Sequence, residues 1–140
     1  MDRKQIMDII PHREPMLLVD SIEVQGESAT GTYRVKGDEW FLSGHFPGMP
    51  IVPGVILCEM IAQTGSVILL AKERFKGAVP LFAGMTNVRF KRVVRPGDTL
   101  TLKAYLKRLY GEIGFGTGEA YVGNELAASL EFSFALKKGE

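Results

Sequence analysis

The sequence predicts an α+β fold in which a curved antiparallel sheet wraps around one long central helix. Residues 55–71 are apolar on nearly every side, which is typical of a helix buried over most of its surface. The second half of the chain alternates apolar and polar residues in several segments, which is typical of strands with one buried face. A chain of 140 residues is long enough for one core and too short for two, so residues 1–140 are expected to form a single domain.

The N-terminal part predicts a short helix and then a hairpin. Residues 2–10 are interpreted as a helix that ends at Pro11, because proline cannot continue helical hydrogen bonding. Residues 16–25 and 28–36 are apolar-rich runs joined across Gly26, which indicates two paired strands. Residues 37–54 lack a regular period and combine glycines and prolines with aromatic side chains. They are expected to form a stiff loop.

The remaining elements follow from turn signals and periodicity. The central helix is predicted over 55–75, with Pro53 and Gly54 at its start and Gly77 just after its end. Strands are predicted over 79–94, 99–109, 113–122 and 126–136, with a turn at 95–98. Glycines at 114, 116 and 118 share one face of their strand, which indicates that another element approaches the backbone closely there. A sheet of this kind around a single helix is the hotdog arrangement.

Composition narrows the classes of partner. The formal net charge of +1 selects neither nucleic acid nor an anionic membrane. The longest apolar runs reach about five residues, against the roughly 20 that a membrane-spanning helix needs. The chain has one cysteine, Cys58, and its first residues lack the apolar core of a secretory signal peptide, so a cytoplasmic location is expected. No metal-ligand spacing or phosphate-binding glycine loop is present, and neither a metal nor an organic cofactor is expected.

Glu59 lies inside the apolar helix, with Gln63 one turn later. Burying a carboxylate is costly unless it is paired, hydrogen-bonded or protonated. Two interpretations therefore remain open. Glu59 either has a basic partner or a place at the rim, or it transfers protons with a pKa that burial raises toward neutrality. In the second case Gln63 is placed to orient it.

His45 lies in a Gly-His-Phe-Pro-Gly segment and is interpreted either as a surface histidine or as an acid–base group. His12, the only other histidine, is expected to shape the N-terminal turn. Gly54 and Val55 begin the long helix, where the first N–H groups lack intrahelical partners. Taken alone this is an ordinary helix start, but beside His45 and Glu59 it suggests a site that binds a carbonyl oxygen. Cys58 is interpreted as a packing residue.

Residues 89–108 carry seven basic side chains against one acid, Asp98. Such a run is either a solvated strand face or a docking surface for an acidic partner.

The segment 44–55, Gly-His-Phe-Pro-Gly-Met-Pro-Ile-Val-Pro-Gly-Val, followed by Glu59 and Ala62-Gln63, resembles the 3-hydroxyacyl-(acyl-carrier-protein) dehydratases of the FabZ type. Pro-His-Arg at 11–13, Leu-Leu-Val-Asp at 17–20, Arg-Phe at 89–90 and Pro-Gly-Asp at 96–98 support the resemblance, which covers essentially the whole chain. A glutamate at 59 is similar to the FabZ type, since the related FabA-type dehydratase-isomerases carry an aspartate. Glu14 and Met60 depart from the pattern, which has an aromatic and a small residue at these positions.

The resemblance implies dehydration of a (3R)-hydroxyacyl thioester on acyl carrier protein to the trans-2-enoyl product in fatty acid biosynthesis. His45 and Glu59 would be the catalytic pair, and the N–H groups near Gly54 and Val55 would polarise the thioester carbonyl. Substrate contacts are expected from four further side chains, which are those of Phe46, Gln63, Leu81 and Phe90. Docking of the carrier protein is expected at Lys91, Arg92 and Arg95.

The resemblance also implies a homodimer, usually assembled as a trimer of dimers. Each active site would take His45 from one chain and Glu59 from the other. Two other classes remain: a hotdog thioesterase that activates water with a carboxylate, and a non-catalytic acyl-binding subunit. The spacing of His45 and Glu59 and the proline-rich loop favour dehydration over hydrolysis, and a binding subunit has no use for a buried Glu59.

Overall fold

The computed structural model describes residues 1–138. Helix α1 spans Arg3–Met7 and helix α2 spans Gly54–Leu70, with a short 3-10 turn at Glu73–Phe75. The strands are β1 (Ser21–Gln25), β2 (Ser28–Arg34), β3 (Ala78–Phe90), β4 (Thr99–Tyr110), β5 (Ile113–Val122) and β6 (Glu125–Lys138). They form one antiparallel sheet in the order β1-β2-β4-β5-β6-β3. Helix α2 contacts all six strands, so the sheet wraps around it as predicted.

Close packing between α2 and the sheet explains the glycines of β5. A Cβ atom at Gly114 would lie 2.8 Å from Leu69 Cδ1, and one at Gly118 would overlap Ile61 Cγ2. The predicted close approach to this strand is therefore confirmed, and the approaching element at Gly114 and Gly118 is α2. At Gly116 a Cβ atom would instead lie 2.5 Å from the Tyr105 carbonyl oxygen and 2.9 Å from the ring of Phe132. Fourteen of the 17 residues of α2 are buried, in agreement with its nearly uniform apolar character.

Helix α2 ends five residues earlier than the predicted boundary of 75. Residues 72–76 are mostly exposed, and a 3-10 turn replaces the last helical turn. This turn returns Phe75 to the core, where only 1% of it is exposed. A longer helix would extend charged residues beyond the sheet and leave the Phe75 pocket empty.

Three predicted strands are also too long, and the second of them ends at Arg34 and not at 36. The first begins at Ser21 and not at 16. The Leu18 N–H donates to Gln63 Oε1 at 2.8 Å and is therefore not paired with a strand. Strand β3 ends at Phe90 and not at 94. Residues beyond it turn toward the start of α2, where the Val52 N–H donates to the Val94 carbonyl at 2.9 Å.

Strand β3 lies at an edge of the sheet and is largely exposed. Its exposed apolar side chains are those of Val79, Leu81, Phe82, Met85 and Phe90. None of the helices within residues 1–138 combines the length and apolar character needed to cross a membrane.

Candidate active site

The loop between β2 and α2 fixes His45 through its backbone. His45 Nδ1 lies 2.9 Å from the Ile51 carbonyl oxygen, and the Ile51 N–H donates to the His45 carbonyl at 2.8 Å. Because a carbonyl oxygen only accepts, Nδ1 must carry the hydrogen. In the neutral ring Nε2 is then unprotonated and free to accept a proton. The ring of Phe46 stacks on the imidazole with 4.0 Å between centroids.

A cleft of about 580 Å³ joins this loop to the start of α2 and the end of β3. Its lining includes His45, Gly54, Val55, Phe90 and Lys91. The cleft therefore combines a histidine side chain with a helix start and a basic group.

The start of α2 is open to this cleft. Pro53 at the N-cap provides no side-chain hydrogen bond, and Val55 is 67% exposed. The N–H groups of Gly54 and Val55 have no intrahelical partners and carry the positive end of the helix dipole, whereas the Ile56 N–H already donates to the Pro53 carbonyl at 2.9 Å. Gly54 is needed here for a packing reason, since a Cβ atom would lie 2.7 Å from the ring of Phe90.

Glu59 belongs to a separate group of side chains and does not line the cleft of His45. Its carboxylate accepts a hydrogen bond from Gln63 Nε2 at 2.8 Å and lies 3.6 Å from His12 Nε2. Burial raises the pKa of Glu59, and the hydrogen bond from Gln63 partly opposes that rise. Burial and the charge of Arg13 lower the pKa of His12. Glu59 therefore has a basic neighbour, but near neutral pH this neighbour is uncharged and does not form an ion pair.

Comparison with known proteins assigns this arrangement to a family. Residues 10–131 match the FabA-like domain. The chain is 50% identical over 138 residues to the 3-hydroxyacyl-(acyl-carrier-protein) dehydratase FabZ of Moorella thermoacetica, with 97% of this chain and 96% of that protein covered. It is 46% identical to the FabZ of Staphylococcus carnosus, with 97% and 95% covered. The chain belongs to the FabZ-type dehydratases of the FabA-like family.

Solved structures confirm the hotdog fold of this FabZ-type chain. The dehydratase heterocomplex ApeI:P of Xenorhabdus doucetiae superposes with a TM-score of 0.82 at 20% identity, with 95% of this chain and 91% of that chain covered. A putative thioesterase of Ralstonia eutropha, related to phenylacetic acid degradation, gives a TM-score of 0.63 at 20% identity, with 84% and 83% covered. At this level of identity both show the fold alone.

The side chain of Gln63 links Glu59 to the segment that precedes β1. Gln63 is fully buried, and its side chain makes three hydrogen bonds within the protein. Besides Glu59, it contacts the Leu18 N–H at 2.8 Å and the Met16 carbonyl at 2.7 Å. The orienting role predicted for Gln63 fits this placement, whereas the predicted substrate contact does not, because Gln63 has no exposed surface.

The other predicted substrate contacts are divided between different surfaces. Phe90 lines the cleft, whereas Leu81 lies farther along the exposed edge of β3 and Phe46 stacks on His45 from outside the cleft. Of these three side chains, only Phe90 is placed beside His45 in the cleft of a single chain.

The basic run of 89–108 does not form one surface. Lys91 is exposed and lines the cleft. Arg92 also lines it, but forms ion pairs with Asp98 at 3.2 Å and Glu125 at 3.3 Å. Arg95 is exposed and lies outside the cleft lining. On β4, Lys103 lies over the ring of Tyr121 and Lys107 over that of Tyr105.

His12 is the side chain near Glu59 that the sequence reasoning missed. The expectation that it shapes only the N-terminal turn is incomplete, because its imidazole also faces Glu59. The Pro-His-Arg motif at 11–13 was the available signal. Within residues 1–138, no three His, Cys, Asp or Glu side chains are grouped so as to hold a metal ion.

Proposed function

We propose that this chain dehydrates (3R)-hydroxyacyl-acyl carrier protein to the trans-2-enoyl thioester in fatty acid biosynthesis, with His45 and Glu59 as its acid–base pair. The observation that carries the proposal is the near full-length similarity to FabZ dehydratases, joined to a histidine whose Nε2 is free beside an open helix start. A cytoplasmic location fits this activity.

His45 Nε2 takes the α-proton of the thioester, which the adjacent carbonyl makes acidic. Negative charge then develops on the carbonyl oxygen, where the N–H groups of Gly54 and Val55 are oriented to stabilise it. Glu59 gives its proton to the 3-hydroxyl group as the carbon–oxygen bond breaks, and water leaves. The raised pKa of Glu59 suits this role, because the carboxyl group must hold a proton before it donates one. A proton moved from His45 to Glu59 restores the starting state.

The active site in this proposal is shared between two chains. Two observations support a homodimer with His45 from one chain and Glu59 from the other. Glu59 does not line the cleft of its own His45, and the β3 edge exposes a row of apolar side chains, including Leu81 and Phe82. Exposed apolar edges of this kind mark interaction surfaces. Further assembly into a trimer of dimers is part of the same proposal.

The acyl carrier protein is the proposed partner, with Lys91 as its main contact. Lys91 is exposed at the cleft and, unlike Arg92, has no acidic partner within residues 1–138. An acidic carrier would be attracted to this position at low ionic strength.

The test is an assay of the purified protein with 3-hydroxybutyryl and crotonyl thioesters, followed by enoyl absorbance and free thiol in parallel. The proposal predicts reversible change in enoyl absorbance without thiol release. Thiol release would identify a thioesterase, and no conversion of either substrate would identify an acyl-binding protein.

A further inference from the structure

His12 packs beneath the carboxyl group of Glu59, at the point where the N-terminal segment crosses α2. Its Nε2 lies 3.6 Å from Glu59 Oε2, and the two side chains are 17% and 21% exposed. This separation exceeds a hydrogen bond, and contacts between catalytic groups are often long before substrate binds.

The other ring nitrogen shows which form of His12 is present. Nδ1 is buried and has no hydrogen-bond partner among the described residues. A protonated ring would place an N–H there with no acceptor, and a buried donor without an acceptor is costly. The form with hydrogen on Nε2 leaves only a bare acceptor at Nδ1, and it places the N–H on the nitrogen that lies 3.6 Å from Glu59 Oε2. Burial and Arg13, which lower the pKa of His12, favour the same neutral form.

Both contacts to the carboxyl group meet at one oxygen. Gln63 Nε2 and His12 Nε2 approach Oε2, and no hydrogen bond from residues 1–138 reaches Oε1. The two donors thus fix the rotation of the carboxyl group and leave Oε1 to hold the proton that is transferred.

We propose that neutral His12 is a positioning residue for the dehydration, which orients Glu59 through an Nε2–H directed at Oε2 and leaves Oε1 for the substrate. This inference rests on the proposed function of Glu59. It adds a residue to the acid side of the site that acts without touching the substrate.

The charged and titratable groups around the pair are few. Arg13 follows His12, but its guanidinium donates to the carbonyls of Met7 and Ile10 at 3.0 and 2.9 Å. Glu14 pairs with Arg3. Helix α2 contributes Glu59, the neutral amide of Gln63, and Cys58, whose thiol has a pKa raised by burial. The remaining contacts of Gln63 are backbone groups of residues 16 and 18.

Loss of the His12 N–H should change the pKa of Glu59 in a defined direction. An N–H directed at a carboxylate stabilises its charged form and lowers the pKa. Loss of this donor raises the pKa of Glu59, so the fall of kcat/KM at high pH, which reports loss of the acid's proton, moves to higher pH. Turnover falls as well, because the carboxyl group is held by Gln63 alone.

Two variants of similar polarity separate the roles of the two ring nitrogens. The amide of Gln in His12→Gln reaches the position of Nε2, whereas the shorter Asn in His12→Asn reaches only that of Nδ1. We expect His12→Gln to keep the pH profile and most of the turnover. We expect His12→Asn to lose about tenfold in kcat, the scale of one hydrogen bond, and to move its high-pH limb upward. Equal melting temperatures would show that the difference is not one of folding.

Wild-type turnover and pH profile in both variants, or equal losses in both together with earlier melting, would overturn the proposal and make His12 purely structural. Nitrogen NMR of the wild-type imidazoles decides the matter even if a variant fails to fold. The chain has two histidines, so the two rings are readily distinguished. We expect His12 to be neutral and protonated at Nε2 at neutral pH, and a protonated ring or hydrogen on Nδ1 would contradict the proposal. A wild-type protein that converts no hydroxyacyl thioester would instead refute the proposed function.

Discussion

The loop that carries His45 and the helix that carries Glu59 hold their side chains by different means. His45 is fixed by hydrogen bonds to the backbone of its own loop, stacks on an exposed Phe46 and opens onto a cleft. Glu59 sits on a helix buried inside the sheet and is approached by Gln63, one turn later on the same helix, and by His12 of the N-terminal segment. The loop therefore presents an accessible imidazole, whereas the helix partly desolvates a carboxyl group.

In the proposed mechanism, this difference suits His45 and Glu59 to opposite proton-transfer roles. A base at the surface keeps a free nitrogen for the substrate, since its other nitrogen is occupied by a carbonyl. A half-buried carboxyl group has a pKa raised by desolvation and retains its proton to higher pH. In the proposed mechanism, the two environments separate the acid from the base.

The largest expected effect is the fall in turnover when the imidazole of His45 is removed. His45→Ala should lower turnover at least about 100-fold, the scale of a lost acid–base group, because no other described side chain of the cleft can accept the α-proton near neutral pH. The measurement is enoyl formation under saturating substrate. Ser43→Ala, two residues away on the same loop, should remain near wild type. Near-normal turnover of His45→Ala with an intact fold would refute the role of His45.

Loss of the Glu59 carboxylate should lower turnover by a similar factor without lowering stability. Glu59→Gln keeps the size of the side chain and its bond to Gln63, so turnover should fall about 100-fold while the free energy of unfolding is kept or raised. Denaturant unfolding and turnover are measured on the same sample. A variant that melts much earlier yet retains activity would instead show that Glu59 is structural.

The contribution of Glu59 to the free energy of unfolding should also depend on pH in a defined direction. The folded-state pKa of Glu59 is raised, so its contribution is fully present below the unfolded value of about 4.3 and is lost as pH rises through the folded value. Stability of the wild type relative to Glu59→Gln should therefore fall across that window. An unchanged difference would show that burial does not perturb this carboxyl group.

The tighter packing around α2 than around the His45 loop predicts an effect of intermediate size on stability. Gly118→Ala places a methyl group into Ile61 beneath α2, two residues after Glu59, and should destabilise the protein by about 1–3 kcal/mol. Gly44→Ala is the matched control on the loop, where a Cβ atom meets nothing within 4 Å. Thermal unfolding of both should show a lower melting temperature for Gly118→Ala alone. Equal melting temperatures would mean that the helix side is no more tightly packed than the loop.

The smallest expected effect concerns the carrier. Lys91→Glu should raise KM for a carrier-bound substrate about fivefold at low salt, with less effect at high salt, because it reverses a charge at the mouth of the cleft. The corresponding small N-acetylcysteamine thioester should be nearly unaffected. Lys103→Glu makes the same charge change on β4 and serves as the control. Equal effects on both substrates would assign Lys91 to the site itself and not to docking.

Much of the fold was predictable because its signals are local. The alternation in 113–122 predicted the bounds of β5, Ile113–Val122, and the glycines on one face predicted close packing. The end of α2 was not predictable from its own sequence, because the Phe75 pocket, which is formed by tertiary packing, determines where the helix stops.

The site was predictable in its residue types and less so in its contacts. The motif around His45 and the position of Glu59 are visible in the sequence. The hydrogen bonds from Gln63 to Leu18 and Met16 are not, because these partners precede it by 45 and 47 positions. The ion pair of Arg92 with Glu125 removes a basic group that the sequence presents as free. Contacts of this range depend on the folded sheet and not on local pattern.

We propose that each active site combines His45 of one chain with Glu59 of another. This proposal is tested most directly by unfolding and refolding together equal amounts of His45→Ala and Glu59→Gln, each nearly inactive alone. Random pairing gives mixed dimers in half of the population, each with one intact site, so the mixture should recover about one quarter of wild-type activity. Recovery near that value would establish the shared site. A refolded mixture that contains mixed dimers but stays as inactive as its two components would show that both residues act within a single chain.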